Sequence, residues 1–171
     1  MKIAIVVDSS ANLTPEEKSD HLIALVPVNV MFGGKVYRDG VDLTPAQAYQ
    51  FLEKNPKDWA TSAPSPGDFL AGFKEVVSQG AKSIICLTLA QKISATWNSA
   101  RMAKELAKKE MPGIQIEVID SGTGVVGEKL MALKIGEAIK EGKTFEGLIT
   151  LTEELKKRIR VFLLLETIRY V

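Results

Sequence analysis

The amino-acid sequence predicts an α/β fold of three layers, in which a mostly parallel sheet is covered by helices on both faces. Apolar runs of strand length alternate with longer segments of helical periodicity, and this alternation is typical of a parallel sheet. The chain has 171 residues, 46% hydrophobic and 25% charged, so one globular domain over residues 1–171 is expected. The same composition excludes a disordered chain, a coiled coil and a collagen-like fibre.

Six strands are predicted, over residues 3–7, 25–32, 35–38, 83–89, 114–119 and 161–165. The first is apolar on both faces, as a strand buried within a parallel sheet must be. Pro27 indicates that the second strand lies at a sheet edge or begins there, because proline cannot donate to a ladder. Gly33 and Gly34 favour a hairpin turn between the second and third strands.

Six helices are predicted, and three of them begin with the same signal. Thr14, Thr44 and Ser65 are each followed by a proline and, two residues further on, by Glu, Gln or Asp, which is the pattern of a capped helix start. The other three helices span residues 94–109, 122–141 and 144–157, and Gly142 ends the second of these. In that helix the residues expected to face the core are Val126, Leu130, Leu133 and Ile135.

The charge balance and the apolar pattern exclude two classes of partner. Lys and Arg total 22 against 21 Asp and Glu, so a nucleic-acid-binding protein is not expected. The basic run 156–158, with Arg160, is interpreted as a helix end before a strand. No apolar stretch approaches the length of a membrane span, and the lone Cys86 lies in an apolar run, so a cytoplasmic protein with a buried thiol is expected.

Small polar residues follow several predicted strands at the edge where an open α/β sheet binds its ligands. They are Asp8, Ser9, Ser10, Asp120 and Ser121 at strand ends, with Ser94, Ala95 and Thr96 beyond the fourth strand and Thr61 and Ser62 in a loop. Each has an ordinary structural interpretation as well, since Ser94 can cap a helix and aspartates bond to turn N–H groups. Together they predict a pocket without identifying its ligand.

Two other chemistries fit the sequence poorly. His21 is the only histidine and lies beside an amphipathic stretch, so we expect a surface or helix-end role rather than a catalytic triad or a metal site. Residues 122–127 spell G-x-G-x-x-G, but no second strand with an acid follows at dinucleotide-binding spacing. Close packing at a helix start is the better explanation of these glycines.

Several motifs in this order resemble the DegV family of fatty-acid-binding proteins. The motifs are Lys2 to Ser10, Val26 to Val30, Tyr37 to Asp42, Thr61 to Phe69, Ile93 to Thr96 and Val118 to Ser121. They extend over nearly the whole chain, and the segment from Thr61 to Phe69 is the most specific of them. The resemblance implies a fold shared with dihydroxyacetone-kinase-like proteins.

The resemblance also implies a function without catalysis. Such a protein holds one long-chain fatty acid and presents its carboxylate to a partner fatty-acid kinase, and Thr61 and Ser94 would correspond to the family's carboxylate-binding threonine and serine. The expected ligand-binding residues are Thr61, Ser62, Ser94, Ala95, Ser9, Asp120 and Ser121. No catalytic residue, metal or cofactor other than the bound fatty acid is expected.

The sequence departs from the family at two places. Ala95 stands where the family usually has glycine, and the chain ends at Val171 before the family's Gly-Gly-Arg turn and second domain. Three hypotheses therefore stay open. The protein is a fatty-acid carrier, an enzyme or phosphotransfer component on the same fold, or a domain that binds lipid only weakly because the second domain does not cover the ligand. Self-association through the face that the second domain would cover is also expected.

Overall fold

A computed structural model describes residues 2–162 and 164. Its strands are β1 (Ile3–Asp8), β2 (Ile23–Val26), β3 (Asn29–Phe32), β4 (Lys35–Arg38), β5 (Ala60–Ser62), β6 (Ser83–Thr88) and β7 (Gln115–Asp120). Its helices are α1 (Pro15–His21), α2 (Pro45–Lys54), α3 (Pro66–Ser78), α4 (Thr96–Glu110), α5 (Val126–Lys140) and α6 (Phe145–Arg158). Short 3₁₀ turns occupy Ser9–Ala11 and Pro56–Asp58.

The central sheet is parallel and has the strand order β2-β1-β6-β7. β1 lies between β2 and β6, with Ile5 opposite both Ile23 and Ile85. Every residue of β1 and β6 is buried, which matches their apolar sequences. The parallel sheet predicted from the sequence is therefore confirmed.

Helices cover both faces of this sheet, as expected for three layers. On one face Val6 and Ile84 pack with Phe73 of α3 and Ala103 of α4. On the other face, Ile5 and Ile85 pack with Met131 and Ile135 of α5 and with Leu148 of α6. The alternation of the two sets follows from the two-residue period of a strand.

A second, antiparallel sheet of order β4-β3-β5 corrects the strand predicted over residues 25–32. That segment forms two strands, because β2 ends at Val26 in the central sheet and β3 begins at Asn29 in the small one. Pro27 lies at the break, where its missing N–H and fixed φ suit a change of direction. The hairpin is confirmed, with Gly33 and Gly34 at φ 60° and 71°.

Strand β5 was not predicted from the sequence. Ala60–Ser62 pairs antiparallel with β3, so Thr61 and Ser62 lie on a sheet rather than in a loop. All three residues of β5 are exposed, and a strand of three residues without a buried face leaves no apolar pattern.

The helix starts at Thr14, Thr44 and Ser65 are confirmed as complete capping boxes. The start of α4 differs from the prediction, because Ala95 occupies the cap position and provides no side-chain bond. Ser94 instead accepts a hydrogen bond from the Thr96 N–H at 3.2 Å, one position earlier than a capping residue would stand. The Ser94 hydroxyl therefore bonds to the backbone at the start of α4, although Ser94 itself precedes the capping position.

The predicted core face of α5 is only partly correct. The helix begins at Val126 rather than residue 122, because Val125 adopts a positive φ of 44°. Val126 and Leu130 are exposed and Leu133 is half-buried, whereas Ile135 is buried as expected. The residues that face the core are Gly127, Glu128, Met131, Ala132, Ile135, Gly136 and Ala138.

The strand predicted over residues 161–165 is not found where the structure describes it. Val161, Phe162 and Leu164 are exposed and belong to no strand, while residues 163 and 165 lie outside the described residues. An apolar run becomes a strand only beside another strand that offers hydrogen-bond partners. None of the seven described strands pairs with this run.

Candidate functional site

Three strands of the central sheet end in polar residues that meet at its carboxyl edge. Asp8 ends β1, Thr88 ends β6 and Asp120 ends β7, with Thr88 and Asp120 directly opposite each other. This is the edge at which open α/β sheets bind their ligands. The predicted convergence of these strand ends is therefore present in the fold.

Asp8 is fully buried and bonds to the two loops beside it. Its carboxylate accepts hydrogen bonds from the N–H and hydroxyl of Ser10 and, at 2.8 Å, from the Leu89 N–H. Burial raises the pKa of Asp8, and the hydrogen bonds from Ser10 and Leu89 oppose that rise. Asp8 thus fixes the start of the loop that leads to Ser94.

Asp120 and Ser121 order the loop after β7 and its neighbour. Asp120 Oδ1 accepts hydrogen bonds from the Gln91 N–H at 3.1 Å and the Gly122 N–H at 2.9 Å. Ser121 is buried, and its hydroxyl bonds to both backbone groups of Thr123. These bonds hold the edge rigid, and contact of Asp120 or Ser121 with a ligand stays a prediction.

Ser9 connects the two sheets. Its hydroxyl accepts the Val28 N–H at 3.0 Å and donates to Asp39 Oδ2 at 2.7 Å. Val28 precedes β3 and Asp39 follows β4, so this one side chain attaches both ends of the hairpin to β1. Ser9 holds the small sheet in place over the edge.

Thr61 and Ser62 are exposed on β5, and their side chains point to opposite faces of the small sheet. Thr61 lies opposite Val30, in the row that contains Tyr37 on the far strand. Ser62 lies opposite Asn29, and the two residues cannot meet one small head group from the same side. Within residues 2–162, neither hydroxyl forms an intramolecular hydrogen bond, so each is free to bind a ligand.

Ser94 and Ala95 lie at the beginning of α4. Ser94 is half-buried with its hydroxyl 2.7 Å from Thr96 Oγ1, and Ala95 is exposed. The first turn of the 15-residue helix directs N–H groups and the positive end of its dipole towards this point. No hydrogen bond among the described residues joins Ser94 to Thr61, so a ligand would have to bridge them.

Exposed apolar side chains lie in the loops before α4 and α5. Ile93 is 70% exposed and Val125 is 51% exposed. Gly124 lies between Leu89 and Ile93, where an added Cβ would come within 3.0 Å of Leu89 Cδ1. The close packing predicted for the glycine motif is thus confirmed at Gly124, and Gly127 likewise faces Thr123 with no room for a side chain.

Glu128 is the functional-site neighbour that sequence reasoning missed. It lies on the buried face of α5, and burial together with the charge of Asp8 raises its pKa to about 9. The missed signal is the spacing of Glu128 with Met131, Ala132 and Ile135, which places an acid in the core stripe of the helix.

His21 and the surface grooves complete the surroundings of the site. His21 is the last residue of α1 and packs against Gly136 of α5, as a helix-end role requires. A surface groove of about 750 Å³ beside β2 is lined in part by the predicted residue Ser9 and by its partner Asp39, and a second of about 620 Å³ lies between α5 and α6. Thr61, Ser62 and Ser94 line neither groove.

The described residues show neither a cluster of metal ligands nor a membrane-spanning helix. They contain no group of three or more His, Cys, Asp or Glu placed to hold a metal ion. None of the helices described combines the length and apolarity needed to cross a bilayer.

The sequence and fold are similar to those of known proteins. A DegV domain-containing protein of Halalkalibacterium halodurans is 32% identical over 157 residues, which are 92% of this chain and 54% of the relative. A stearic acid-binding protein of Eubacterium ventriosum is 34% identical with a TM-score of 0.81, over 90% of this chain and 52% of that structure. The Fatty Acid Kinase (Fak) B3 protein of Streptococcus pneumoniae, loaded with linoleic acid, is 25% identical with a TM-score of 0.78, over 92% and 55%.

The chain thus spans about half the length of these relatives. Residues 2–171 match the profile of a family described as uncharacterised proteins of the DegV family. The match extends over nearly every residue, including the strand ends and loops described above. The chain therefore belongs to the DegV family.

Proposed function

We propose that this chain binds a long-chain fatty acid and holds its carboxylate between Thr61 and Ser94, acting as a carrier rather than a catalyst. The observation that carries the proposal is the free hydroxyl of Thr61 on the small sheet, which Ser9 attaches to the end of β1, in a fold that, at 34% identity, resembles a stearic acid-binding protein. The chain spans about half of that protein.

The chemistry of the edge suits a carboxylate head group. A carboxylate that leaves water must receive hydrogen bonds, since an unpaired buried charge is very costly. Thr61 supplies a free hydroxyl donor, and the N–H groups at the start of α4 beside Ser94 form a site of the kind that binds anions. Because Ser62 points to the other face of β5, the head group would contact Thr61 and not both residues.

The apolar surface beside Ser94 suits the beginning of an acyl chain. Ile93 precedes Ser94 and offers aliphatic contact, and the side chain of Leu89 lies with Ile93 beside Gly124, next in the chain to the exposed Val125. About 16 methylenes of stearic acid, at ~0.8 kcal/mol each, give a gross ~13 kcal/mol before association costs of several kcal/mol. Affinity would therefore depend on how much of the tail this chain covers.

The partner we propose is a fatty-acid kinase that acts on the bound carboxylate. The similar Streptococcus pneumoniae protein is named as a B3 protein of Fatty Acid Kinase. Thr61, Ser62 and Ala95 are exposed, so a partner can approach the head group from solvent. The chain itself would serve to bind and present the lipid.

The experiment that tests the proposal is lipid extraction with mass spectrometry of the purified protein. The double variant Thr61→Ala, Ser94→Ala should lose at least tenfold of the fatty acid that the wild type retains, while its circular dichroism stays unchanged. Thr150→Ala, which removes an exposed hydroxyl on α6, should retain the wild-type amount.

Retention of one fatty acid per chain by the double variant would overturn the carboxylate assignment. Wild-type protein that is folded but never binds added stearic acid would overturn the proposed function for this chain. Light scattering of the same samples measures whether the exposed apolar surface leads to self-association.

A further inference from the structure

A chain of hydrogen bonds runs from the interior of the protein to the loop that carries Ser94. Glu128 Oε2 lies 3.3 Å from Ser10 Oγ, which in turn bonds to Asp8 Oδ1. The other oxygen of Asp8 accepts the Leu89 N–H at 2.8 Å. Leu89 is the first residue after β6, so the network ends at the base of the loop that leads to Ser94 and Ala95.

The proton count of this network determines its charge. A serine hydroxyl has one proton and can donate it to only one carboxylate. Asp8 receives that proton together with two backbone N–H bonds, and three donors favour its ionised form. Glu128 Oε2 can then bond to Ser10 only as a donor, which requires a protonated carboxyl group.

The second oxygen of Glu128 supports the same assignment. Glu128 is fully buried, and its Oε1 has no hydrogen-bond partner among the described residues. A carboxylate in that position would leave a buried charge stabilised only by the Ser10 hydroxyl, which also serves Asp8, and by a backbone interaction with Asp8. A neutral carboxyl group leaves only one carbonyl oxygen unpaired.

We propose that Glu128 is a positioning residue whose protonated carboxyl group donates to Ser10 and, through Asp8, fixes the loop that carries Ser94. The proposal rests on the proposed function for its link to lipid binding, but the hydrogen-bond network can be tested without a ligand. Loss of the Glu128 proton places a second negative charge beside Asp8 and leaves Ser10 between two acceptors. The Asp8 carboxylate then shifts and its bond to the Leu89 N–H weakens, which moves the beginning of the loop that leads to the head-group site, while Gln91 stays bonded to Asp120.

The ionisable groups that face Glu128 are few. From β1 it faces Asp8. The thiol of Cys86 on β6 is buried on the opposite face of the sheet, and burial together with the charges of both acids raises its pKa. The adjacent Lys129 is engaged elsewhere, since its Nζ lies 2.8 Å from Glu17 Oε2 on α1. No described cation is therefore placed to neutralise Glu128, and its own proton does so.

The first test uses nuclear magnetic resonance on the ligand-free protein. The ¹³Cδ resonance of Glu128 should titrate with a midpoint near its pKa of about 9, and the Leu89 amide should shift with the same midpoint. In Glu128→Gln, which keeps a donor and cannot ionise, the Leu89 shift should disappear. A Glu128 carboxyl that titrates near its ordinary range, or a Leu89 amide that does not follow it, would overturn the proposal.

The second test measures stearic acid affinity from pH 7 to pH 10 in three proteins. Relative to Glu128→Gln, the wild type should lose about tenfold in affinity at pH 10, because one tenth of the molecules then retain the proton. Glu137→Gln, an exposed acid on the same helix, should follow the wild type. Equal pH profiles for wild type and Glu128→Gln would contradict the positioning role, whereas absence of binding in all three would contradict only the proposed function.

Discussion

The two sheets of this protein differ in what holds them together. In the central sheet, β1 and β6 are buried along their whole length between two layers of helices. In the small sheet, β5 is fully exposed and three of the four residues of β4 are exposed. The small sheet is held by the hydrogen bonds of Ser9 and by the stacking of Phe32 on Phe51, whose ring centroids are 4.4 Å apart.

This difference separates stability from binding. Apolar burial gives the central sheet its stability, and its carboxyl edge is ordered by bonds from Asp8 and Asp120. The small sheet buries little and leaves the hydroxyls of Thr61 and Ser62 unused. The free donors needed by a ligand thus lie on the less stable part, which the more stable part positions.

The largest expected effect comes from the core of the central layer. Phe73→Ala removes a fully buried ring between the sheet and α3 and should lower the free energy of unfolding by ~3–5 kcal/mol. Val36→Ala on exposed β4 should change it by less than ~0.5 kcal/mol. Urea denaturation of both variants measures the difference, and similar losses would show that the two sheets do not differ in this way.

Ser9→Ala should have the next largest effect, at the junction of the sheets. The substitution leaves the Val28 N–H and Asp39 without their partner, at a cost of ~1–3 kcal/mol. Hydrogen exchange should accelerate in β3 and β4 more than in β1 and β6. The control Ser19→Ala removes an exposed hydroxyl of α1 and should change neither the stability nor the hydrogen exchange of the two sheets.

Glu128 is an exception to the apolar core, and its effect on stability depends on pH. Its folded-state pKa of about 9 lies above the ordinary value of 4.5, so the folded protein keeps a proton that the unfolded chain releases between these limits. Stability should therefore fall as the pH rises from about 5 to about 9, by up to ~1.4 kcal/mol per pH unit.

Glu128→Gln should lack this pH dependence. The free energy of unfolding of the variant minus that of the wild type should therefore increase between pH 7 and pH 8. Denaturant titrations at both pH values measure that difference. A difference that stays constant with pH would show that Glu128 has the same protonation state in the folded and unfolded protein. Glu137→Gln provides the reference for an exposed acid on α5.

The same contrast explains which parts of the fold the sequence predicts. β1 and β6 are apolar runs that burial requires, and Thr14, Thr44 and Ser65 are local caps, so both are visible in the sequence. β5 has no buried face, and its pairing with β3 depends on residues some 30 positions away. The apolar run from Val161 shows the opposite case, in which composition favours a strand but no described partner is present.

The candidate site follows the same rule. The strand ends Asp8 and Asp120 could be placed at one edge from topology alone, because parallel strands end together. The opposite orientations of Thr61 and Ser62 could not, since they depend on β5 being a strand. The burial of Glu128 depends on the exact start of α5, which the positive φ of Val125 shifts by four residues from the expected position.

The order of the strands also determines how this chain must fold. Ile3 pairs with Ser83, so the centre of the parallel sheet joins segments about 80 residues apart, and closing such a loop costs roughly 4 kcal/mol plus a constant. The β3–β4 hairpin closes over only two glycines, and hairpins of this kind form within microseconds. The part of the molecule that contributes least to the finished stability can therefore be the first to form, while the sheet that stabilises the whole must wait for its distant partner.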